Sequence, residues 1–180
     1  MTTVDLITII GNISQSLYPV QKMISGLAYI LGILFFYTAI EKLLKIGDRR
    51  TQSSSHDKMY TPVMYLFMGA LLIYLPSALP TMAATAFGVG NVLTYANYNP
   101  MNVYSSVGLL IRTVGVIWFV RGCVLVAHAS NPGTQHGPKG LLFMIAGIFA
   151  MNFDNSIAAV NWFLNYLIKI TVSVKDMSGY

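Results

Sequence analysis

The sequence predicts an all-α polytopic membrane protein with about four transmembrane helices and an N-terminal amphipathic helix at the membrane interface. Three observations indicate this fold. Of the 180 residues, 55% are hydrophobic and 9% are charged, whereas a soluble domain carries about 25% charged residues. The hydrophobic residues lie in runs of about 20, the length that a helix needs to cross a bilayer. Most lysines and arginines flank those runs, which is typical of membrane proteins.

The chain is predicted to form one membrane domain, 1–180, which turns and charges divide into segments. Apolar residues on one helical face, with polar residues elsewhere, predict the amphipathic helix. The segments in chain order are an amphipathic helix at 4–20, a first span at 23–44, a cytoplasmic loop at 45–59, a second span at 60–79, a periplasmic or interfacial segment at 80–104, a third span at 105–128, a cytoplasmic turn at 129–139, a fourth span at 140–169 and a tail at 170–180.

Prolines and segment lengths predict where the helices end. Pro19 predicts a break before the first span, because proline removes a backbone donor and crowds the preceding turn. For the same reason Pro80 predicts that the second span ends near Leu79. The fourth segment would be about 45 Å long as one helix, which exceeds a hydrocarbon core of about 30 Å. We therefore expect it to tilt, protrude or break, with a break falling at 152–155.

Basic residues predict the orientation of the chain in the membrane. Six of them lie in or beside the two predicted cytoplasmic loops: Lys42, Lys45, Arg49, Arg50, Lys58 and Lys139. The stretch 88–104 contains no basic residue. Because Lys and Arg accumulate in cytoplasmic loops, we expect both termini to be periplasmic. Lys169 and Lys175 weigh against this orientation.

Three charged residues fall inside predicted spans. Arg112, Arg121 and Asp154 would each cost about 2.5–3.5 kcal/mol at the centre of a membrane helix. Counted from the turn at 129–139, Arg112 and Asp154 lie at similar depths, so an antiparallel hairpin would form an intramembrane charge pair. This pair is either structural or lines a water-filled path or partner contact. Arg121 lies on another face and is predicted to reach the interface or a partner.

Small residues seven positions apart predict how the third and fourth spans pack. The third span carries Gly108, Gly115 and Gly122, and the fourth carries Gly140 and Gly147, followed seven residues later by Asp154. Seven residues are close to two helical turns, so each set forms one stripe. Small residues let membrane helices approach closely. We therefore predict that the two glycine stripes meet and that Arg112 faces Asp154.

The sequence contains no motif that predicts an enzyme. It has no HExxH, P-loop, CxxC or G-x-S-x-G pattern. Its single cysteine, Cys123, allows neither an intrachain disulfide nor a Cys-based zinc site. His56, His128 and His136 are scattered in or beside predicted loops. We therefore expect a nonenzymatic protein without catalytic residues, metal or cofactor, and without direct nucleic acid binding.

Several motifs in the C-terminal half resemble a known family. They are Arg121-Gly122, HASNPG at 128–133, GPKG at 137–140 and MIAGIFAMNFDNS at 144–156. In these residues the chain resembles the small polytopic inner-membrane subunits of type IVB (Dot/Icm-type) secretion and related conjugation systems. In length and number of spans it resembles IcmC/DotE more than DotV or IcmD/DotP.

The resemblance implies a multi-pass protein of the bacterial inner membrane. Such a subunit assembles with other inner-membrane secretion subunits in an oligomeric complex, where it forms or scaffolds the translocation channel. The residues alone leave an alternative open, a small oligomeric ion channel or transporter subunit. Solvent-accessible charge within a span would favour transport, and a convergent His, Asp or Ser cluster would favour a membrane-embedded enzyme.

Overall fold

A computed structural model of the chain describes residues 6–49, 59–87 and 103–178. Regular structure in these ranges is entirely helical, which confirms the predicted all-α fold. The six helices found there are α1 (Leu6–Arg49), α2 (Tyr60–Ile73), α3 (Leu75–Phe87), α4 (Val103–Ala129), α5 (Gly137–Met151) and α6 (Phe153–Ser178). Most of the loop predicted at 45–59, and most of the segment predicted at 80–104, lies outside the described residues.

Three stretches of helix are long and apolar enough to cross a membrane, by length and composition. They are Thr8–Asp48, Val103–Ala129 and Phe153–Lys175. The apolar helices α2 and α5 have 14 and 15 residues, which corresponds to about 21–22 Å and is shorter than a hydrocarbon core of about 30 Å. The described chain therefore combines long apolar helices with short ones, instead of the predicted set of about four similar spans.

Helix α1 is continuous from Leu6 to Arg49 and contains Pro19. The predicted break between an amphipathic helix at 4–20 and a span at 23–44 is therefore wrong. A proline interrupts one backbone hydrogen bond, whereas ending a helix leaves several backbone groups without a partner. The second cost is larger, so α1 continues through Pro19.

The predicted second span, 60–79, ends earlier than expected. Tyr74 separates α2 from α3, and Pro76 is the second residue of α3. The missing N–H of Pro76 has no consequence there, because the first-turn N–H groups of a helix have no intrahelical partner. Its ring would crowd the preceding turn of a continuous helix, so α2 ends at Ile73. Pro80, which predicts the end of the second span near Leu79, falls inside α3, so no helix ends there.

The predicted fourth span, 140–169, consists of two helices that meet at Asn152. The break falls within the expected 152–155, but the prediction of one span is wrong. The Asn152 N–H donates to the Ile148 carbonyl at 3.1 Å, and the Asn152 carbonyl accepts from the Ser156 N–H at 2.9 Å, so the junction keeps its backbone hydrogen bonds. Helix α6 reaches Ser178, and the predicted tail, 170–180, is therefore helical up to that residue.

Two hairpins, α1–α2 and α4–α5, pack side by side. Helices α1 and α4 run parallel, because Gln21 contacts Thr113 and, further along both helices, Lys42 contacts Asn131. The start of α2 and the turn between α4 and α5 lie at the same end of the bundle, where the Thr61 hydroxyl donates to the carbonyl of the residue before Asn131 at 2.7 Å. We call this the turn end.

The helices bury apolar side chains of all sizes between them, and they also expose many large apolar side chains outside. The buried set includes Ala28, Phe35, Ala39, Tyr65, Met68, Leu72, Val116, Phe119, Cys123, Val126, Met144 and Met151. Outside, Met23, Tyr37 and Leu142 are each about two-thirds exposed, with values of 67%, 68% and 70%. An outer surface of this kind is suited to acyl chains, which supports a membrane location for the helices.

Candidate functional site

A glycine seam joins α4 and α5. An added Cβ on Gly115 would lie 2.9 Å from the Gly147 carbonyl oxygen, and one on Gly122 would lie 2.8 Å from the Gly140 carbonyl oxygen. Added Cβ atoms on Gly140 and Gly147 would likewise lie within 3 Å of α4 backbone atoms. The structure thus places these four predicted packing residues in two facing pairs, Gly115 with Gly147 and Gly122 with Gly140. The two pairs lie seven residues, or about two helical turns, apart, and the helix backbones are in contact there.

Gly108, the fifth predicted packing residue, lies outside the glycine seam. Its nearest neighbour across the interface is the ring of Phe153 in α6, 3.6 Å from an added Cβ, which is an ordinary van der Waals contact. The position after Gly147 in the second stripe is Asp154, which belongs to α6 beyond the break at Asn152. No glycine therefore lies opposite Gly108.

Arg112 and Asp154 form an ion pair at the α5–α6 junction. The Arg112 Nη2 group donates to Asp154 Oδ2. The Arg112 side chain is 20% exposed and that of Asp154 is 51% exposed, so the arginine is the more enclosed partner. Asp154 lies in the first turn of α6, where the helix dipole also favours a negative charge. Tyr104 lies beside the same carboxylate and packs on Phe153 with 5.8 Å between ring centroids.

Polar groups at the junction hold Asp154 in place. Asn152 is buried, and its side-chain oxygen accepts a hydrogen bond from Asn155 Nδ2 at 3.2 Å. The Ser156 hydroxyl bonds to the Phe149 carbonyl at 2.7 Å and to the Asn152 carbonyl at 2.9 Å. The last turn of α5 is thus tied to the first turn of α6. This fixes the carboxylate of Asp154 relative to α4.

A second polar contact, between α1 and α4, lies next to the ion pair. Gln21 Nε2 donates to Thr113 Oγ1 at 2.6 Å, and the Thr113 hydroxyl donates to the Leu109 carbonyl at 2.8 Å. The sequence analysis does not predict this contact, because Gln21 was assigned to a break in the chain. A usable signal exists nonetheless. Ser14 and Gln21 in α1, like Ser106 and Thr113 in α4, are polar residues seven apart.

The contact between Gln21 and Thr113 also gives the height of the ion pair in the bundle. Because α1 and α4 are parallel, Lys22 and Arg112 lie at nearly the same height. Beyond Lys22, residues 23–40 contain no charged side chain, and they extend about 27 Å, close to the thickness of a hydrocarbon core. We call the part of the bundle at the height of residues 23–40 the apolar belt. The ion pair lies at one boundary of the apolar belt and not at its centre.

Another polar cluster lies at the opposite boundary, at the turn end. Lys42 Nζ donates to Asn131 Oδ1 at 2.9 Å, and Asn131 Nδ2 donates to the Tyr65 hydroxyl at 3.0 Å. The Lys42 ammonium also lies 5.3 Å from the Tyr65 ring centroid. Phe35, Tyr65 and His128 contact one another edge to face, with centroids 5.4–6.2 Å apart. The cluster connects both hairpins, a role that the sequence analysis did not assign to these residues.

Arg121 lies apart from the ion pair, on the exposed side of the α4–α5 hairpin. Its guanidinium carbon is 5.2 Å from the centroid of the Phe143 ring, a cation–π contact. The side chain is exposed. Arg121 lies eight residues, about 12 Å, beyond Thr113 along α4, which is near the middle of the apolar belt. The guanidinium is therefore available to a partner, and it would have to extend along α4 to reach the interface.

Comparisons with protein-family models, with curated proteins and with solved structures found no match. Within the described ranges, His, Cys, Asp and Glu form no group of three or more that could hold a metal ion. The residues brought together are therefore a charge pair and its polar support at one boundary of the apolar belt. This arrangement can fix two hairpins relative to each other, or hold a charge at a membrane surface.

Replacing Thr113 with valine should destabilise the protein by about 1 kcal/mol, because the Gln21 amide loses its acceptor inside the bundle. The free energy of unfolding in detergent micelles measures this change. Thr38→Val is the matched control, since the Thr38 hydroxyl bonds only to the carbonyl of Leu34 in its own helix. Equal stability of the two variants would contradict a structural role for the contact between Gln21 and Thr113.

Proposed function

We propose that the chain is a nonenzymatic structural or channel component of a type IVB secretion or conjugation apparatus in the bacterial inner membrane. The observation that carries the proposal is the location of the motifs that resemble that family. All of them fall in one unit, formed by the second half of α4, the turn, α5 and the junction with α6. The motifs thus coincide with the glycine seam and with the carboxylate partner of Arg112.

The packing of this unit favours a role inside a larger assembly. At the glycine seam the backbones of α4 and α5 are in contact, which leaves no room for a path between these two helices. A channel that uses this protein would therefore run between subunits. The exposed apolar side chains on α1 and α5 offer surfaces to lipid or to other inner-membrane subunits.

The proposed orientation has the turn end in the cytoplasm and both termini in the periplasm. It rests on the basic residues at that end, because Lys and Arg are enriched in cytoplasmic segments. The start of α2 contacts the turn between α4 and α5, so both share one side of the membrane. The ion pair then lies at the periplasmic boundary of the apolar belt.

Affinity purification from a native membrane extract tests the proposal. The full-length chain, tagged at its N-terminus, should copurify with other inner-membrane subunits of a secretion or conjugation system, identified by mass spectrometry. A control purification uses an unrelated tagged membrane protein from the same cells. A chain that purifies without such companions, and that conducts ions in planar bilayers, would contradict the proposal.

That second outcome would favour a small oligomeric ion channel or transporter. One observation supports this alternative, namely that the Asp154 side chain is 51% exposed although it is paired. A partly accessible carboxylate at a membrane boundary is a feature of ion entry sites. In this case copies of the chain would have to assemble around a common path.

A further inference from the structure

Helix α6 leaves the bundle after its first turn. Phe153 packs on Tyr104, and Asp154 pairs with Arg112, but from residue 158 to residue 175 every side chain is exposed. The helix begins at the height of the ion pair, and therefore at one boundary of the apolar belt. Its remaining length has no cover from the described part of the chain.

The exposed part of α6 has two unlike faces. At 100° per residue, four of its polar side chains fall on one stripe, whereas Thr171 and Lys175 lie outside it; the four are Asn161, Asn165, Lys169 and Ser173. We call this the α6 polar stripe. The opposite face carries the apolar side chains of Val160, Phe163, Leu164, Leu167, Ile170 and Val174, all of them at least two-fifths exposed. No hydrogen bond within the described residues engages Asn161, Asn165 or Lys169.

An aromatic pair lies on the α6 polar stripe and at its edge. Trp162 and Tyr166 stack at 5.8 Å with their planes 10° apart. At 100° per residue Trp162 falls between Lys169 and Ser173, and Tyr166 falls just beyond Ser173, next to the apolar face. Trp and Tyr are enriched where a membrane meets water, because their rings are apolar and carry one polar group. This edge of the α6 polar stripe thus has the composition of an interface.

We propose that α6 lies on the bilayer surface at the end where α4 begins, with its apolar face in the acyl chains and its polar stripe in water. The exposed faces of α6 are thus covered by the lipid interface, although by length and composition alone α6 would qualify as a membrane span. Crossing the belt would put Asn161, Asn165 and Lys169 against lipid without partners, which is costly. Projecting into water would expose the apolar face instead. Only the surface position satisfies both faces.

The ion pair then has a mechanical role. Asp154 is the first charged residue of α6, and Arg112 belongs to the rigid α4–α5 hairpin. The pair therefore links a helix in the membrane to a helix on its surface. This inference concerns the placement of α6 and does not depend on the proposed secretion function.

Cysteine accessibility in the full-length chain tests the placement. Single cysteines are introduced at Asn165 and Ser173 of the α6 polar stripe, and at Leu164 and Leu167 of the apolar face, in a Cys123→Ala background. Membrane vesicles of each orientation are treated with a membrane-impermeant maleimide. Labelling after denaturation in SDS serves as the control for each variant and shows that each cysteine can react.

The surface position predicts labelling of both stripe variants from one side of the membrane only, several-fold above that of Leu164→Cys and Leu167→Cys. If the cysteines at 164, 165 and 167 were all protected from the maleimide, whichever face they lie on, and Ser173→Cys were labelled from the side of the turn end, α6 would be a span. That result would overturn the proposal. Strong labelling of all four variants would place α6 in water and overturn it as well. Protection of the stripe together with disulfide formation between Asn165→Cys chains would assign the stripe to a second copy, which again overturns it.

Discussion

Replacing Gly115 with alanine should destabilise the protein by about 1–3 kcal/mol, the usual cost of overpacking a well-packed interior. The added Cβ would lie 2.8 Å from the Met151 backbone nitrogen and 2.9 Å from the Gly147 carbonyl oxygen. Backbone atoms cannot rotate away as side chains do, so α4 and α5 would have to separate along the glycine seam. The free energy of unfolding in detergent micelles, followed by circular dichroism, measures the effect.

Gly26→Ala is the matched control for this prediction. It makes the same substitution inside a helix, but no atom lies within 4 Å of the added Cβ. Because alanine favours helix over glycine, Gly26→Ala should be neutral or stabilise the protein by up to about 1 kcal/mol. The two variants should therefore differ in sign. If Gly115→Ala were as stable as Gly26→Ala, the close approach of α4 and α5 would be refuted.

The glycine spacing in α4 and α5 illustrates what the sequence alone can predict. Small residues seven apart identify one face of a helix and allow another helix to approach that face closely. In the structure, Gly115 lies opposite Gly147 and Gly122 lies opposite Gly140. Gly108 has the same spacing but a different environment, because the next position in the opposite stripe after Gly147 is Asp154, in α6. The spacing identifies a face, while the residues of the partner decide how much of that face packs closely.

Other features depend on contacts between distant parts of the chain. Pro19 is a helix breaker by local preference, yet α1 passes through it, because one lost backbone hydrogen bond costs less than the several unpaired groups at two helix ends. Gln21 and Thr113 are 92 residues apart, and their pairing depends on how α1 and α4 are aligned. Local patterns contain no information about that alignment. The height of the ion pair relative to the apolar belt could therefore be read only from the structure.

Composition also obscures the nature of α6. The stretch 153–175 passes an average test for a membrane span, and the predicted fourth span included most of it. An average over all positions does not separate the two faces of a helix. The α6 polar stripe becomes visible only once the break at Asn152 and the direction of the helix after it are known, because these show that bundle helices do not cover the stripe.

Removing either member of the ion pair should destabilise the protein, and removing Asp154 should be the more severe change. Asp154→Ala leaves the guanidinium of Arg112, which is only 20% exposed and whose Nε already lacks a hydrogen-bond partner among the described residues. We expect a loss of about 2 kcal/mol, between the values for exposed and for buried pairs. Arg112→Ala leaves a half-exposed carboxylate at a helix N-terminus, so we expect about 1 kcal/mol.

A double-mutant cycle separates the pairing from the other effects of each substitution. The double variant Arg112→Ala/Asp154→Ala should be less destabilised than the sum of the single variants, with a coupling of about 1 kcal/mol. Lys45→Ala provides the control, because it removes an exposed pair with Glu41 one helical turn away and should change stability little. Strictly additive losses would show that the pair contributes nothing to folding.

Other variants of the same two residues distinguish a structural pair from a pair that lines a transport path. In a structural pair, the stability of each variant and its assembly with partners should decline together, and Arg112→Asp/Asp154→Arg should recover part of both. The recovery should be incomplete, because an arginine in the first turn of α6 opposes the helix dipole. If instead Asp154→Asn left stability and assembly unchanged but abolished transport, the carboxylate would belong to a path for ions or cargo. The boundary position of the pair would then mark the entrance of that path.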